Sequence, residues 1–330
     1  MSSFFMQHID ICNIVAYDET MSRSATPLHT FTGLLILLVL GVGTITIIKT
    51  QQASPTKSKI RVTASFYPLG DFAQAIGGNR IALTTTIPSG SEPHEYEPTP
   101  RDITAAENSQ LFIYNGAGLD PWAEKIAPDL VKRGILTINA SSFIHLRPAA
   151  DSTEGTYDPH IWLDPTQAKI IASHIHDALV QLDPSHQASY DAGNEKLQHD
   201  LDILDAQFRA QVSVCSQHTI VTSHAAFGYL AARYGLTQEY ISGIAPDEEP
   251  SAQRLSQIAD LVKRDHITTI FFESLVSPKF ADTIAHETGV TTAVLDPIEG
   301  LTPAEHTAGD TYITIMNRNL TALKSALNCP

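Results

Sequence analysis

Apolar runs of four to seven residues alternate with helical stripes through most of this chain. Residues 60–66 (IRVTASF) and 81–87 (IALTTTI) are rich in β-branched positions and predict strands, with a helical stripe over 69–76 between them. Residues 111–114 (LFIY) and 135–138 predict two more strands, preceded by helices over 100–108 and 121–130 respectively. A second series follows, with strands over 219–222, 238–241, 267–272 and 291–295 and helices over 225–234, 251–264 and 311–327. Strands alternating with helices of about ten residues imply βαβ units and mostly parallel sheets. The expected fold class is α/β, with two (β/α)4-like lobes.

Between the two series the pattern changes. Asp164-Pro165 caps a helix whose apolar positions are Ile170, Ile171, Ile175 and Leu179. After Asp183-Pro184, the residues Tyr190, Leu197, Leu201, Leu204 and Phe208 recur on an otherwise polar helix. At ~1.5 Å per residue this helix would reach roughly 40 Å. One thin apolar seam predicts a rigid rod joining two lobes. A coiled-coil dimer is the competing pattern, but about three heptads barely suffice for one. The expected boundaries are an N-terminal lobe over 59–182, a connecting helix over 183–212 and a C-terminal lobe over 213–330.

Ahead of these lobes, residues 31–48 (FTGLLILLVLGVGTITII) carry no charge. As a helix they would run about 27 Å, near the thickness of a bilayer's hydrocarbon core. No small-x-small cleavage site ends the segment, so an uncleaved signal anchor is expected, with residues 1–30 as a tail and 49–58 as a linker. Asp10, Asp18 and Glu19 suit a cytoplasmic tail badly, which makes Met21 the expected start. The folded body then lies outside the cytoplasm, periplasmic or at the cell surface, tethered to the membrane.

A formal net charge of -15 excludes a nucleic-acid partner, because no basic stripe could neutralise phosphates. Cys12, Cys215 and Cys329 form no C-x-x-C, which excludes a cysteine zinc ribbon. Cys215 and Cys329 fit a disulfide outside the cell or two isolated thiols equally well.

The chemistry gathers around three histidines. His94 stands between Pro93 and Pro98, among Glu92, Glu95 and Glu97, just before a helix capped by Thr99-Pro100. His160 follows Pro159 and precedes the Asp164-Pro165 cap, and His224 follows the strand over 219–222. His94, His224 and Asp296 are all expected beyond strand carboxyl ends, where open parallel sheets bind ligands. Three imidazoles and a carboxylate make a four-ligand set suited to zinc and acceptable to manganese.

The segments PHEYEPTPRD, DPHIWLDP, TSHAAFGYLAARYGL, GIAPDEEPSAQRL, FFESLVSPKFADTIAHETG and LDPIEG resemble the zinc/manganese-type solute-binding proteins of ABC transporters, the ZnuA/TroA-like family of cluster A-I. The similarity covers residues 59–330. It implies a two-lobed fold joined by one long helix, with metal in the interlobe cleft held by His94, His160, His224 and Asp296. It also implies a partner, a membrane permease that receives the ion, and a monomer. Manganese-selective relatives of the family carry a carboxylate at the position of His224, so the third nitrogen points to zinc, with manganese as the alternative. Glu273, Glu248 and Glu249 are expected to orient ligands or line the cleft rim. Two departures stand out. Residues 140–158 hold only His145 in place of a histidine-rich loop, and the apolar segment replaces a cleaved signal or lipid anchor.

Two other readings compete with transport. A zinc hydrolase would need an open metal position and a general base, and the chain has no H-E-x-x-H, so no enzyme is expected. A surface adhesin with a structural metal is the third reading.

Overall fold

The computed structural model describes residues 58–150 and 156–330. The expected tail, the apolar segment and nearly all of the linker lie outside the described residues. Among those described, no helix is long and apolar enough to cross a membrane.

The first sheet contains β1 (Ile60–Ala64), β2 (Ile81–Thr85), β3 (Leu111–Tyr114) and β4 (Leu136–Asn139), in the order β2-β1-β3-β4. The second contains β5 (Thr219–Thr222), β6 (Thr237–Tyr240), β7 (Thr269–Phe272) and β8 (Thr291–Val294), in the order β6-β5-β7-β8. Every neighbouring pair is parallel. Both lobes therefore wind the same way, as the repeated strand–helix pattern predicts. Each has a reversal of strand order beside its first strand, and the crevice beyond that point is where such sheets take ligands.

The first lobe carries α1 (Tyr67–Gly77), α2 (Pro100–Glu107) and α3 (Pro121–Lys132). Next come α4 (Pro165–Leu182) and α5 (Gln187–Val212), and the second lobe carries α6 (Gly228–Tyr234), α7 (Ala252–Arg264), α8 (Lys279–Thr288), α9 (Pro303–Ala308) and α10 (Tyr312–Ala326). Proline opens α2, α3, α4 and α9, where a missing N–H costs nothing. At α2 and α4 the preceding Thr99 and Asp164 accept from the backbone N–H groups of Asp102 and Thr166.

Helix α5 starts at Gln187, three residues later than the rod expected from Pro184. Residues Pro184–His186 instead form one tight turn, in which the N–H of His186 donates to the carbonyl of Asp183. The seam Tyr190, Leu197, Leu201, Leu204 and Phe208 is buried along its whole length, joined by Val212. It packs against α1 and α4 on one side and against α6 and α10 on the other. The apolar pattern predicts a rod between two separate cores. The structure instead has one continuous apolar cluster running from Ile60 through the seam to Leu327. Smaller clusters lie on the outer face of each sheet, around Phe112 and Leu130 and around Ile258 and Ile284. Cys215, just past α5, is bonded to Cys329, just past α10.

At the crossing of α5 and α1 the backbones nearly touch. A Cβ on Gly193 would stand 2.5 Å from the carbonyl oxygen of Ile76 and 2.9 Å from that of Ala75. Helix propensity alone favours alanine over glycine by about 1 kcal/mol. We expect the Gly193→Ala protein to be less stable nonetheless, by about 1–3 kcal/mol, because the crossing must widen. Urea unfolding of the two proteins measures this, and a stabilised variant would show that the helices can part at no cost.

Candidate metal centre

Four side chains converge where the two lobes meet. His94 comes from the loop between β2 and α2, and His160 from the turn before α4. His224 lies two residues beyond β5, and Glu299 lies in the turn after β8. Each approach is fixed locally. Glu92 accepts from the backbone N–H groups of His94 (2.9 Å) and Glu95 (3.3 Å), while the hydroxyl of Tyr96 donates to Asp102 in the first turn of α2 (2.8 Å). The amide of Asn115, at the end of β3, donates to the carbonyl of Pro159 (2.9 Å) and holds the His160 turn against the first sheet. The carbonyl of His224 accepts from Thr222 Oγ1 (2.7 Å) and Gln238 Nε2 (3.0 Å). Those bonds keep residues 224–227 out of α6, which begins at Gly228 and not at the expected position 225.

The four facing atoms are the Nε2 atoms of the histidines and Oε1 of Glu299. His160 Nε2 lies 3.3 Å from the Nε2 of both His94 and His224, and 3.1 Å from the Glu299 oxygen. That oxygen is 3.4 Å from His94 Nε2 and 3.3 Å from His224 Nε2. A tetrahedron whose corners lie about 2.0–2.1 Å from its centre has edges of roughly 3.3–3.4 Å, and zinc bonds imidazole nitrogen at that length. Five of the six edges of the donor set thus match a four-coordinate zinc site, and its chemistry suits one.

Further carboxylates set the direction of the rings. Nδ1–H of His160 donates to Asp158 (2.8 Å), and Nδ1–H of His224 donates to Glu273 (2.6 Å). Each bond leaves the opposite nitrogen as the lone pair facing the centre. Burial opposes charge on both rings, but these carboxylates and Glu299 outweigh it. His160 is raised above the ordinary histidine range, and His224 well above it. Among the described residues no carboxylate accepts from the far side of His94, and burial pushes it down. Burial likewise works against the Glu299 charge, yet the three imidazoles hold its carboxyl well below the usual range. Glu92 is pushed up to about 7, first by burial and then by the Glu299 charge.

The side chains of His160 and His224 are fully buried, and that of His94 nearly so, with 7% of its surface exposed. His94 also lines an interlobe cavity of about 520 Å³ together with Glu95, Glu124 and Glu248. Glu249 is exposed on the same loop as Glu248. Glu273, expected near the site, is the buried partner of His224.

The expected fourth ligand, Asp296, is not among these donors. Its Oδ2 accepts from Ser274 Oγ (2.6 Å) and its Oδ1 from the backbone N–H of Ile298 (2.6 Å). It is spent on folding the turn after β8, and burial raises its pKa to about 6. The turn it closes delivers Glu299 to the centre instead, and Trp162 Nε1–H donates to the Pro297 carbonyl (2.7 Å) to hold that turn against the first lobe. In the sequence, Asp296-Pro297 is a turn signal, and the acid three residues on, just before Gly300, is the one free to reach outward. Asp158 was likewise legible as an acid two residues before a histidine.

Two equally wound parallel lobes, one spanning helix and a buried set of three histidines and one glutamate at their junction define the two-lobed binding-protein class with a cation site in the cleft. The family model for ZnuA, described as zinc-uptake complex component A, periplasmic, matches residues 62–326. The chain belongs to this family. It is 35% identical over 277 residues to the zinc-binding lipoprotein AdcA of Streptococcus pneumoniae, covering 81% of this chain and 55% of that protein. The chain therefore spans about half the length of its AdcA relatives. It is 34% identical over 280 residues to the high-affinity zinc uptake system protein ZnuA of Bacillus subtilis, covering 82% of this chain and 88% of that protein. Among solved structures, the Zn(II)-bound ZnuA-like domain of S. pneumoniae AdcA matches with a TM-score of 0.73 at 36% identity, over 82% of this chain and all of that one. A laminin-binding protein of Streptococcus agalactiae, described as bifunctional with adhesin and metal-transporting activity, matches with a TM-score of 0.75 at 33% identity, over 82% of this chain and all of that one.

The carboxylate arrangement predicts an order of proton loss in the metal-stripped protein. As pH rises, His94 should lose its proton before His160 and His224 do. Imidazole nitrogen shifts followed by NMR across the titration would give this order directly. A His94 that titrates last would mean that the Nδ1 carboxylates do not govern the rings.

Proposed function

We propose that the protein captures Zn2+ outside the cytoplasm and hands it to the permease of an ABC transporter. The observation carrying this reading is the donor set, three imidazole nitrogens and one carboxylate oxygen with five of their six separations at 3.1–3.4 Å. Nitrogen donors favour zinc over manganese, so Mn2+ is the weaker occupant of the same cage. Four protein donors complete a tetrahedral ion and leave no position for an activated water, which suits capture and transfer and not hydrolysis. The Cys215–Cys329 bond supports an oxidising compartment, and the names of the zinc-uptake relatives support the cargo. The apolar segment over 31–48 would tether a monomeric body to the membrane.

The lobes share one core, so we infer that release proceeds without their swinging apart as separate bodies. The exposed side of the site is the cavity beside His94, and movement of that loop and of the acidic loop around Glu248 and Glu249 would open it. Those two glutamates are our candidates for meeting the permease. The S. agalactiae neighbour motivates a second reading, adhesion by the same fold. Binding to immobilised laminin that survives chelation would favour it as an independent activity.

Competition titrations of the stripped protein test the cargo and the ligands together. One tight site preferring Zn2+ to Mn2+ is expected. Glu299→Gln should weaken it more than the ~10–100-fold typical of losing a ligand's supporting partner, and more than Asp296→Asn does. The reverse ranking would restore Asp296 as the ligand. Affinity should also fall as pH drops from about 8 to 5, because protons compete for the imidazoles of His160 and His224. A pH-independent affinity over that range would contradict a histidine-based site.

A further inference from the structure

The buried carboxylate that orients His160 is itself held from the other lobe. Asp158 Oδ1 accepts from both the backbone N–H (3.0 Å) and Nδ1–H (2.8 Å) of His160. Its second oxygen rests over Gly228, the first residue of α6, where an added Cβ would stand 2.5 Å from Oδ2. The next residue, Tyr229, clamps the same segment through its hydroxyl. That hydroxyl accepts from the backbone N–H of Arg147 (2.9 Å) and donates to the carbonyl of Asp158 (3.1 Å). The N–H of Asp158 in turn donates to the carbonyl of Arg147 (3.0 Å), so both chains of this short antiparallel pair end on Tyr229.

We infer that Gly228 and Tyr229 are positioning residues for the metal centre. They seat the Asp158 carboxylate of the first lobe and, through it, fix the ring direction of His160. They lie on the segment that leads out of His224, so one stretch of the second lobe supplies a ligand and orients a ligand of the first. The inference rests on the zinc-capture reading and deepens it.

Nothing in the conformation of residue 228 demands glycine; its backbone is helical, where alanine is the better residue by about 1 kcal/mol. The space does demand it. Asp158 has a short side chain pinned at Oδ1, so it cannot yield to a methyl group at 2.5 Å without loosening its hold on His160. A general packing role would make the same substitution costly whatever stood at position 158, and this separates the two explanations.

The experiment is a double-mutant cycle on the full chain, reading zinc affinity by chelator competition. In the native background Gly228→Ala should weaken zinc binding about 10–100-fold, as loss of a ligand's carboxylate partner does. In an Asp158→Ala background the same substitution should change it by no more than about twofold. Tyr229→Phe, which keeps the ring and removes only the hydroxyl, should cost about 3- to 10-fold and guards against a Gly228 variant that fails to fold. Nitrogen NMR should show the Nδ1–H of His160 weakened or lost in Gly228→Ala while that of His224 persists. Equal losses in both backgrounds, or an undisturbed His160 resonance, would overturn the inference. A parent protein with no tight zinc site would sink the capture reading alone, because the His160 resonance still reports on Gly228.

Discussion

Three imidazole nitrogens and a carboxylate oxygen, with five of their six separations at 3.1–3.4 Å in a region almost without solvent, are the constraint to which the rest of the structure answers. Lone pairs at that separation repel unless a proton or a cation stands among them. Buried polar groups in this state persist only where the surroundings resist relaxation. The surroundings here do so at three levels. Carboxylates hold the far side of two rings, backbone bonds hold the loops, and one apolar cluster holds the lobes.

That last level separates this molecule from a hinge. The seam of α5 does not merely span two bodies; it lies inside the core that both share, and α1 approaches it closely enough to require Gly193. Tyr312 shows the same continuity in miniature. Its ring packs edge-on against Phe72 of the first lobe at 5.0 Å, and its hydroxyl donates to the carbonyl of Trp162 at 2.6 Å. A cleft built this way can be stiff at its base while its mouth stays adjustable.

The periodicities legible in the sequence were those governed by local burial. Short β-branched runs marked the strands of both sheets, and the five apolar residues of the α5 seam predicted its buried face. The three histidines were legible because each stands beside a turn signal or a strand end. What failed was set by interactions between distant segments. Asp296 seemed the natural fourth ligand because it ends a strand, but a strand-end aspartate can bond its own turn, and Ser274 and Ile298 show that it does. The start of α6 was misjudged because bonds from Thr222 and Gln238 draw off the carbonyl of His224. No local pattern could reveal that the two lobes share a core.

The bond between Cys215 and Cys329 has a consequence in time. Its two sulfurs are 114 residues apart, and the ring of chain it closes contains every strand of the second sheet. The sulfur that completes the ring lies beyond all of those strands in the chain, so it is made after them. Oxidation can therefore only follow synthesis of the whole second lobe. Once the ring is shut, a single cut anywhere along it would leave both pieces covalently attached.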